Sequence, residues 1–413
     1  MAMTGVVHVI SVGPGPLAPA DVDATAVIDA LARAGVPATA RIAVEEDEVA
    51  LESALAGPGG LTVIVAGTGG SGGDVVRRVV ARATGARLTL SERMLGALED
   101  AYRRVDRPLP RRVERLALLP NGATVWIAAG SEPAWALDSP RGGFAILPRA
   151  PVAGGTDQSL LGDLVGFARM RLQTRTPVAT TTLRCAGVGT GDIEERLADW
   201  LGKESDVTVV VTPADGEVWV RLRARGTTPT EAAERLAPME SAIRAALGDD
   251  CYGRDTETLE HVVAQSLETR GLSVAVAESC TGGLVGHRLT GVPGSSRWFE
   301  RGVVVYSNTA KMDLLGVPEP VLRLHGAVSA ETAEAMARGM CETARTPCAV
   351  SITGIAGPDG GTPAKPVGTV FVGLAVLGDV STRRFRFLGD RFSVKWQSSQ
   401  MALDMLRRKL GGV

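Results

Sequence analysis

Residues 274–290 read VAVAESCTGGLVGHRLT. Val274 to Ala277 form a short apolar run of the length of a strand buried on both faces, Gly282-Gly283 break the chain, and LVGHRLT resumes with helical spacing. A strand that turns at once into a helix is the unit from which parallel α/β sheets are built. The same grammar repeats on both sides. ETLEHVVAQSLETRGL (257–272) is helical, RGVVVYS (301–307) is a strand, TAKMDLLGV (309–317) starts a helix, and Ser329 to Ala344 reads as a capped helix with Glu331 and Glu334 near its start. CAVSITGIAGP (348–358) and VGTVFVGLAVLG (367–378) are further strands, and Val394 to Leu410 closes the pattern as a helix. Residues 255–413 are therefore expected to be one α/β domain.

Working toward the N-terminus, residues 173–254 have a different texture. TTLRCAGVG, DIEERLADWLGK, DVTVVVTPADGEVWVRLRARG and TPTEAAERLAPMESAIRAALG read as strand, helix, a hairpin through Pro213-Ala214-Asp215-Gly216, and a last helix. That is a small α+β linking domain with no cluster of nucleophile, base and glycine loop. Residues 1–172 return to βαβ logic: VVHVISVG ends in Gly-Pro-Gly, Asp21 to Gly35 and Gly73 to Thr84 are helical, and LTVIVAG is a buried strand. A mostly parallel sheet covered on both faces follows. The turn GTGGSGGD (67–74) would put backbone N–H groups at a helix N-terminus, where an anion fits.

Composition narrows the functional classes. A chain of 413 residues exceeds one hydrophobic core, and 45% apolar with 22% charged residues is a globular balance. A net charge of −2 argues against a nucleic-acid-coating role, so no nucleic-acid partner is expected. No window reaches the roughly 18 apolar residues of a spanning helix, and the start MAMTGVVHVISVGPG lacks a basic region and a cleavage pattern. The expectation is a cytoplasmic protein with no membrane partner. Five scattered cysteines and four scattered histidines give neither a disulfide framework nor zinc spacing. No metal held by soft ligands is expected, whereas an oxygen-ligand site stays open.

Three stretches carry polar residues to strand ends. In the first, Glu278-Ser279-Cys280-Thr281-Gly282-Gly283, a hydroxyl on a sharp corner faces outward with N–H groups behind it. Ser279 is either a nucleophile or a helix cap, and Cys280 is a rival nucleophile without a histidine partner. In the second, Tyr306-Ser307-Asn308-Thr309-Ala310-Lys311, the strand passes through a cap into a helix, so Tyr306, Asn308 and Lys311 cluster within one turn. Lys311 is either a solvated helix lysine or a general base whose pKa burial lowers. Only five lysines occur in the chain. The third, Ser351-Ile352-Thr353-Gly354-Ile355-Ala356-Gly357-Pro358, ends a strand in glycines that serve either turn geometry or close approach of a ligand to the main chain. Three such stretches in one domain point to a site.

The strings VAVAESCTGGLVGHRLTGVPGSS, WFERGVVVYSNTAK, HGAVS and SITGIAGPDGGTPAKPVGTV resemble the carboxyl-terminal domain of the CinA family, the competence/damage-inducible proteins. The resemblance spans residues 255 to 413. It implies an α/β amidase domain that hydrolyses nicotinamide mononucleotide to nicotinic acid mononucleotide and ammonia without a cofactor. On matching positions it implies Ser279 as nucleophile, Lys311 as base and Tyr306 as an assisting hydroxyl. Thr353 and Gly354 match the corner near the reacting carbonyl, and Gly389-Asp390-Arg391 a string near the phosphate end. Thr281, Gly282, Gly283, Asn308, Thr353, Gly354, Gly357 and Arg391 are accordingly expected to bind substrate, a pyridine nucleotide. The expected assembly is a homodimer.

Residues 173–254 resemble the family's small linking domain, down to Cys251-Tyr252-Gly253. Residues 1–172 resemble its molybdopterin-binding-like three-layer α/β domain in strand order and helix placement. There the family carries a T-G-G-L-G-P-T loop with paired aspartates and metal-dependent ADP-ribose pyrophosphatase activity. This chain has GTGGSGGD with the single acid Asp74, Gly130-Ser131-Glu132-Pro133-Ala134 for G-T-A-P-G, and Leu147-Pro148-Arg149-Ala150-Pro151 for L-P-G-x-P. Fewer carboxylates mean fewer ligands for a divalent metal, unless Asp21 or Asp23 rebuilds the site. The amino-terminal activity is thus expected to be weakened, lost or redirected. The rival functions are a pyrophosphatase working through residues 1–172 and a non-catalytic nucleotide-binding scaffold.

Overall fold

The computed structural model describes residues 5–13, 22–66, 70–104, 106–128, 132–149, 156–172, 177–203, 205–214 and 216–412. The chain divides into two compact units, Met1–Thr180 with Ala224–Leu236, and Thr181–Arg223 with Ala237–Val413. Asp21, Gly67-Thr68-Gly69, Gly130-Ser131, Ala150-Pro151 and Asp215, which figure in the expectations above, lie outside the described residues.

The first unit holds a six-stranded sheet in the order Ala40–Val44, Val7–Val12, Leu61–Val65, Gly142–Leu147, Ala134–Ser139, Thr124–Trp126. The first four strands are parallel and the last two antiparallel. The sheet is more mixed than its buried strands suggest: Ala134–Ser139 and Gly142–Leu147 are joined by only two residues, and so short a connection permits only an antiparallel pair. Alternate residues serve opposite faces. Val7, Val9, Val63 and Val65 pack with Val27, Leu31, Leu160 and Leu164 of the helices Val22–Arg33 and Gln158–Leu172. Ile10, Val12 and Ile64 pack on the other face with Leu51, Val76, Val79 and Met94 from the helices Glu48–Ala54, Gly70–Thr84 and Glu92–Arg104. The result is three layers, helix on sheet on helix.

Residues 178–254 supply a four-stranded sheet, ordered Val207–Ala214, Glu217–Arg225, Val178–Cys185, Cys251–Arg254. In the second unit a five-stranded sheet follows, ordered Phe299–Val304, Val274–Glu278, Cys348–Gly354, Thr369–Val376, Asp379–Arg386. Its first three strands are parallel and its last two antiparallel. One face buries Val274, Val276, Val350 and Ile352 under Leu259, Val263, Val285, Val394, Leu403 and Leu406. The opposite face is made of small residues, Ala275, Ala277, Ala349 and Ala375, which let the helix Ala330–Ala344 settle through Met336, Ala337 and Met340. Approach is close enough that a Cβ on Gly373 would lie 2.4 Å from Ala333 O and one on Gly339 1.8 Å from Leu315 O. Gly339 thereby seats the helix Asn308–Leu315, which carries Lys311.

Candidate active site

The corner after Val274–Glu278 is built by its own backbone. Ser279 N donates to Ile352 O at 2.9 Å, Gly282 N donates to Ser279 O at 3.2 Å, and Gly282 and Gly283 take φ of +65° and +97°. Those left-handed angles need glycine. The helix Leu284–Thr290 begins immediately, and its unpaired N–H groups find one acceptor, the buried carboxylate of Glu278. Oε2 accepts from Gly283 N at 3.0 Å and Val285 N at 3.1 Å, and Oε1 from Gly286 N at 2.8 Å. Glu278, not Ser279, is therefore the cap. The motif places this acid directly before the corner, and an anion at a helix start was the available signal.

Ser279 Oγ instead meets Lys311. Val305 N continues the ladder to Glu278 O at 2.8 Å, and Ser307 Oγ caps Asn308–Leu315 by accepting from Ala310 N at 3.0 Å. That turn aims Lys311 inward. Its Nζ lies 3.2 Å from Ser279 Oγ, 2.8 Å from Val305 O and 3.3 Å from Tyr306 O. The side chain is 1% exposed, and burial holds its pKa below the ordinary lysine value. Among the described residues no carboxylate pairs with it. Neighbouring Cys280 is buried too, and burial pushes its thiol up to about 12. A thiol so hard to ionise is a poor nucleophile near neutrality.

The other expected residues are placed differently. Tyr306 is exposed and its hydroxyl accepts from Arg391 Nη2 at 3.0 Å, while Arg391 Nη1 donates to Gly357 O at 2.8 Å. One guanidinium thus links the second and third strand ends. Thr353 and Gly354 act in the framework. Thr353 Oγ1 donates to Ala327 O at 2.6 Å, and a Cβ on Gly354 would stand 2.7 Å from Val370 Cγ2. Asn308 is exposed at its helix start. Thr281 is fully buried, and its Oγ1 has no hydrogen-bond partner among the described residues. Sequence reasoning also passed over Lys395, whose Nζ lies 3.6 Å from where a Gly282 Cβ would be. Its rarity and its place one helical turn after Arg391 were the signal.

In the first unit, Asp74 has both carboxylate oxygens engaged. Oδ1 pairs with Arg77, and Oδ2 lies 3.0 Å from Arg115. A carboxylate neutralised by two guanidinium groups does not fit a divalent-metal ligand. No group of three or more His, Cys, Asp or Glu side chains is placed to hold a metal ion among the described residues. Nor is any described helix long and apolar enough to cross a membrane.

The fold and site define a multidomain α/β protein whose second unit brings a serine hydroxyl and a buried lysine together at adjacent strand ends. The chain belongs to the CinA, or competence-damage inducible, family. The model of the CinA C-terminal domain matches residues 256–410, and that of the damage-inducible protein CinA KH domain residues 180–253. A competence-damage inducible protein of Caldicellulosiruptor bescii is 38% identical over 351 residues, 84% of each chain. A CinA-like protein of Geobacter sulfurreducens is 37% identical over 394 residues, 94% of this chain and 95% of the relative. The solved competence/damage inducible protein CihA of Agrobacterium tumefaciens is 40% identical, covering 37% of this chain and 95% of that one at a TM-score of 0.36.

Proposed function

We propose that the second unit is a serine–lysine amidohydrolase that deamidates nicotinamide mononucleotide or a related pyridine nucleotide. The observation that carries this reading is the 3.2 Å approach of buried Lys311 Nζ to Ser279 Oγ. Ser279 Oγ attacks the carboxamide carbon as neutral Lys311 takes its proton, and the lysine then protonates the departing ammonia. Water enters, gives a proton to Lys311 and hydrolyses the acyl-enzyme to the carboxylate, and the serine recovers its proton. Gly282 N and Gly283 N are already spent on Ser279 O and Glu278. The oxyanion therefore falls to the N–H groups of Cys280 and Thr281, neither of which donates to a main-chain carbonyl among the described residues. Arg391, held between Tyr306 and Gly357, offers charge to the substrate phosphate.

No cofactor enters these steps. Incubating the pure protein with nicotinamide mononucleotide, NAD and ADP-ribose, with and without magnesium, tests the reading. Ammonia and the carboxylate nucleotide are expected without metal. Release of AMP that requires magnesium, with no ammonia, would replace the reading with the pyrophosphatase, and binding without turnover would favour the scaffold.

A further inference from the structure

Two of the five cysteines meet away from the Ser279 corner. Cys185 ends the strand Val178–Cys185, Cys251 begins the edge strand Cys251–Arg254, and the two are direct partners across the antiparallel ladder. Ala186 N donates to Asp250 O at 3.0 Å. That bond joins the residue after Cys185 to the residue before Cys251, which makes the cysteines a non-hydrogen-bonded pair. At such positions Cα atoms stand about 4.5 Å apart and side chains of one face approach most closely, within the roughly 4.4–6.8 Å that a disulfide spans. Both side chains are buried. The Cys185 thiol opposite lowers the Cys251 thiol to about 7 against the effect of burial, with Arg244 and Arg407 assisting, while the same pairing and burial push Cys185 upward.

The surroundings define what a bond here would hold. The edge strand has four residues, and its register shifts between Cys251 and Gly253, so its ladder is short and broken. Asp250 before it pairs with Arg196 at 2.6 Å and Arg408 at 2.7 Å, and Tyr252 within it donates its hydroxyl to Glu217 at 2.8 Å.

We propose that Cys185 and Cys251 are a peroxide-responsive pair that forms a reversible cross-strand disulfide and staples this edge strand to its sheet. The Cys251 thiolate attacks one oxygen of hydrogen peroxide, the O–O bond breaks, and the departing hydroxide takes a proton to leave as water. The resulting sulfenic acid is attacked by Cys185 sulfur, the S–O bond breaks, and a second water carries off the Cys185 proton. The two thiols lose two electrons and the peroxide gains them. A dithiol reductant reverses the bond, as befits a transient disulfide.

The test treats the full chain with hydrogen peroxide near neutral pH, alkylates remaining thiols, and maps peptides by mass without reduction. The expected product is a linked pair of peptides containing Cys185 and Cys251, lighter by two hydrogens than their sum and separated by dithiothreitol. The oxidised chain should melt several degrees higher than the reduced one, because the bond closes a long loop in the unfolded chain. Cys185→Ala and Cys251→Ser should each lose both the link and the shift. Recovery of the two cysteines separately alkylated, or oxidised past sulfenic acid without a link, overturns the proposal. A link that leaves Tm unchanged overturns the stapling role.

Discussion

Lys311 Nζ stands 3.2 Å from Ser279 Oγ, although Ser279 directly follows the strand Val274–Glu278 and Lys311 lies in the first turn of the helix Asn308–Leu315. The approach depends on a chain of supports. Gly339 lets Ala330–Ala344 press against Leu315, Asn308–Leu315 then aims Lys311 at the sheet, and Glu278 fixes the turn that presents Ser279.

If Ser279 is the nucleophile, Ser279→Ala should lower ammonia release by about 10³-fold or more while the circular dichroism spectrum is unchanged. Cys280→Ala should stay within about tenfold of the parent, since a buried thiol of high pKa contributes little thiolate. A dead Cys280→Ala beside an active Ser279→Ala would exchange the two roles.

Lys311→Arg keeps a cation yet cannot yield a proton near neutrality, so it should lose nearly as much activity as Lys311→Ala. The parent's kcat/KM should fall as pH drops through the Lys311 value, where the amine becomes ammonium, and that acid limb should lie below the free-lysine range. Between its folded and unfolded pKa values the unfolded chain binds the extra proton, so stability rises with pH across that window. Urea unfolding at several pH values should show this slope reduced in Lys311→Met. A substantially active Lys311→Arg would mean that the lysine supplies charge alone.

Glu278→Ala leaves three backbone donors without their acceptor. Each buried, unpaired donor costs about 1–3 kcal/mol, reduced where water enters. The variant should lose stability of that order in urea titration and lose turnover through displacement of Ser279. Glu278→Gln keeps one acceptor oxygen and should fall between. Full activity in the alanine variant would be incompatible with a positioning role.

Gly339→Ala puts a methyl group into the Leu315 carbonyl. Overpacking of this kind costs about 1–3 kcal/mol, and here it should also lower kcat more than it raises KM, because the displaced helix carries Lys311, the proposed base. An unchanged urea midpoint would contradict the packing.

Asp74→Asn in the first unit should lower stability by about 1–3 kcal/mol, since a neutral amide pairs poorly with buried Arg77 and with Arg115. Ammonia release should not change. Magnesium-stimulated AMP formation from ADP-ribose should be slight in the parent, and strong formation lost on Asp74→Asn would give that residue a catalytic role after all.

Much of the second unit was legible in order of residues. Val274–Glu278 is short, apolar and ended by glycines, and Ser329 caps Ala330–Ala344 by accepting from Thr332 N, as its serine before a helical run predicts. Ser279 and Lys311 stand out because each follows an apolar strand. Strand direction was less legible. Thr369–Val376 is as uniformly buried as a parallel strand yet runs antiparallel, and Asp379–Arg386, charged and largely exposed, pairs with it as an edge after the two-residue turn Leu377-Gly378. Apolar runs record burial and say nothing of direction.

By itself the sequence determined the alternation of strands and helices, the glycines at the Ser279 corner and the candidate nucleophile and base, because burial period, turn chemistry and side-chain type are local properties. Tertiary structure decided which polar groups remain available. Thr353 and Ser279 are both hydroxyl residues at strand ends, but Thr353 Oγ1 is bound to Ala327 O, whereas Ser279 Oγ faces Lys311 with the helix cap already supplied by Glu278. A hydrogen bond is spent on whichever partner packing brings within reach, and no local pattern in the chain records that choice.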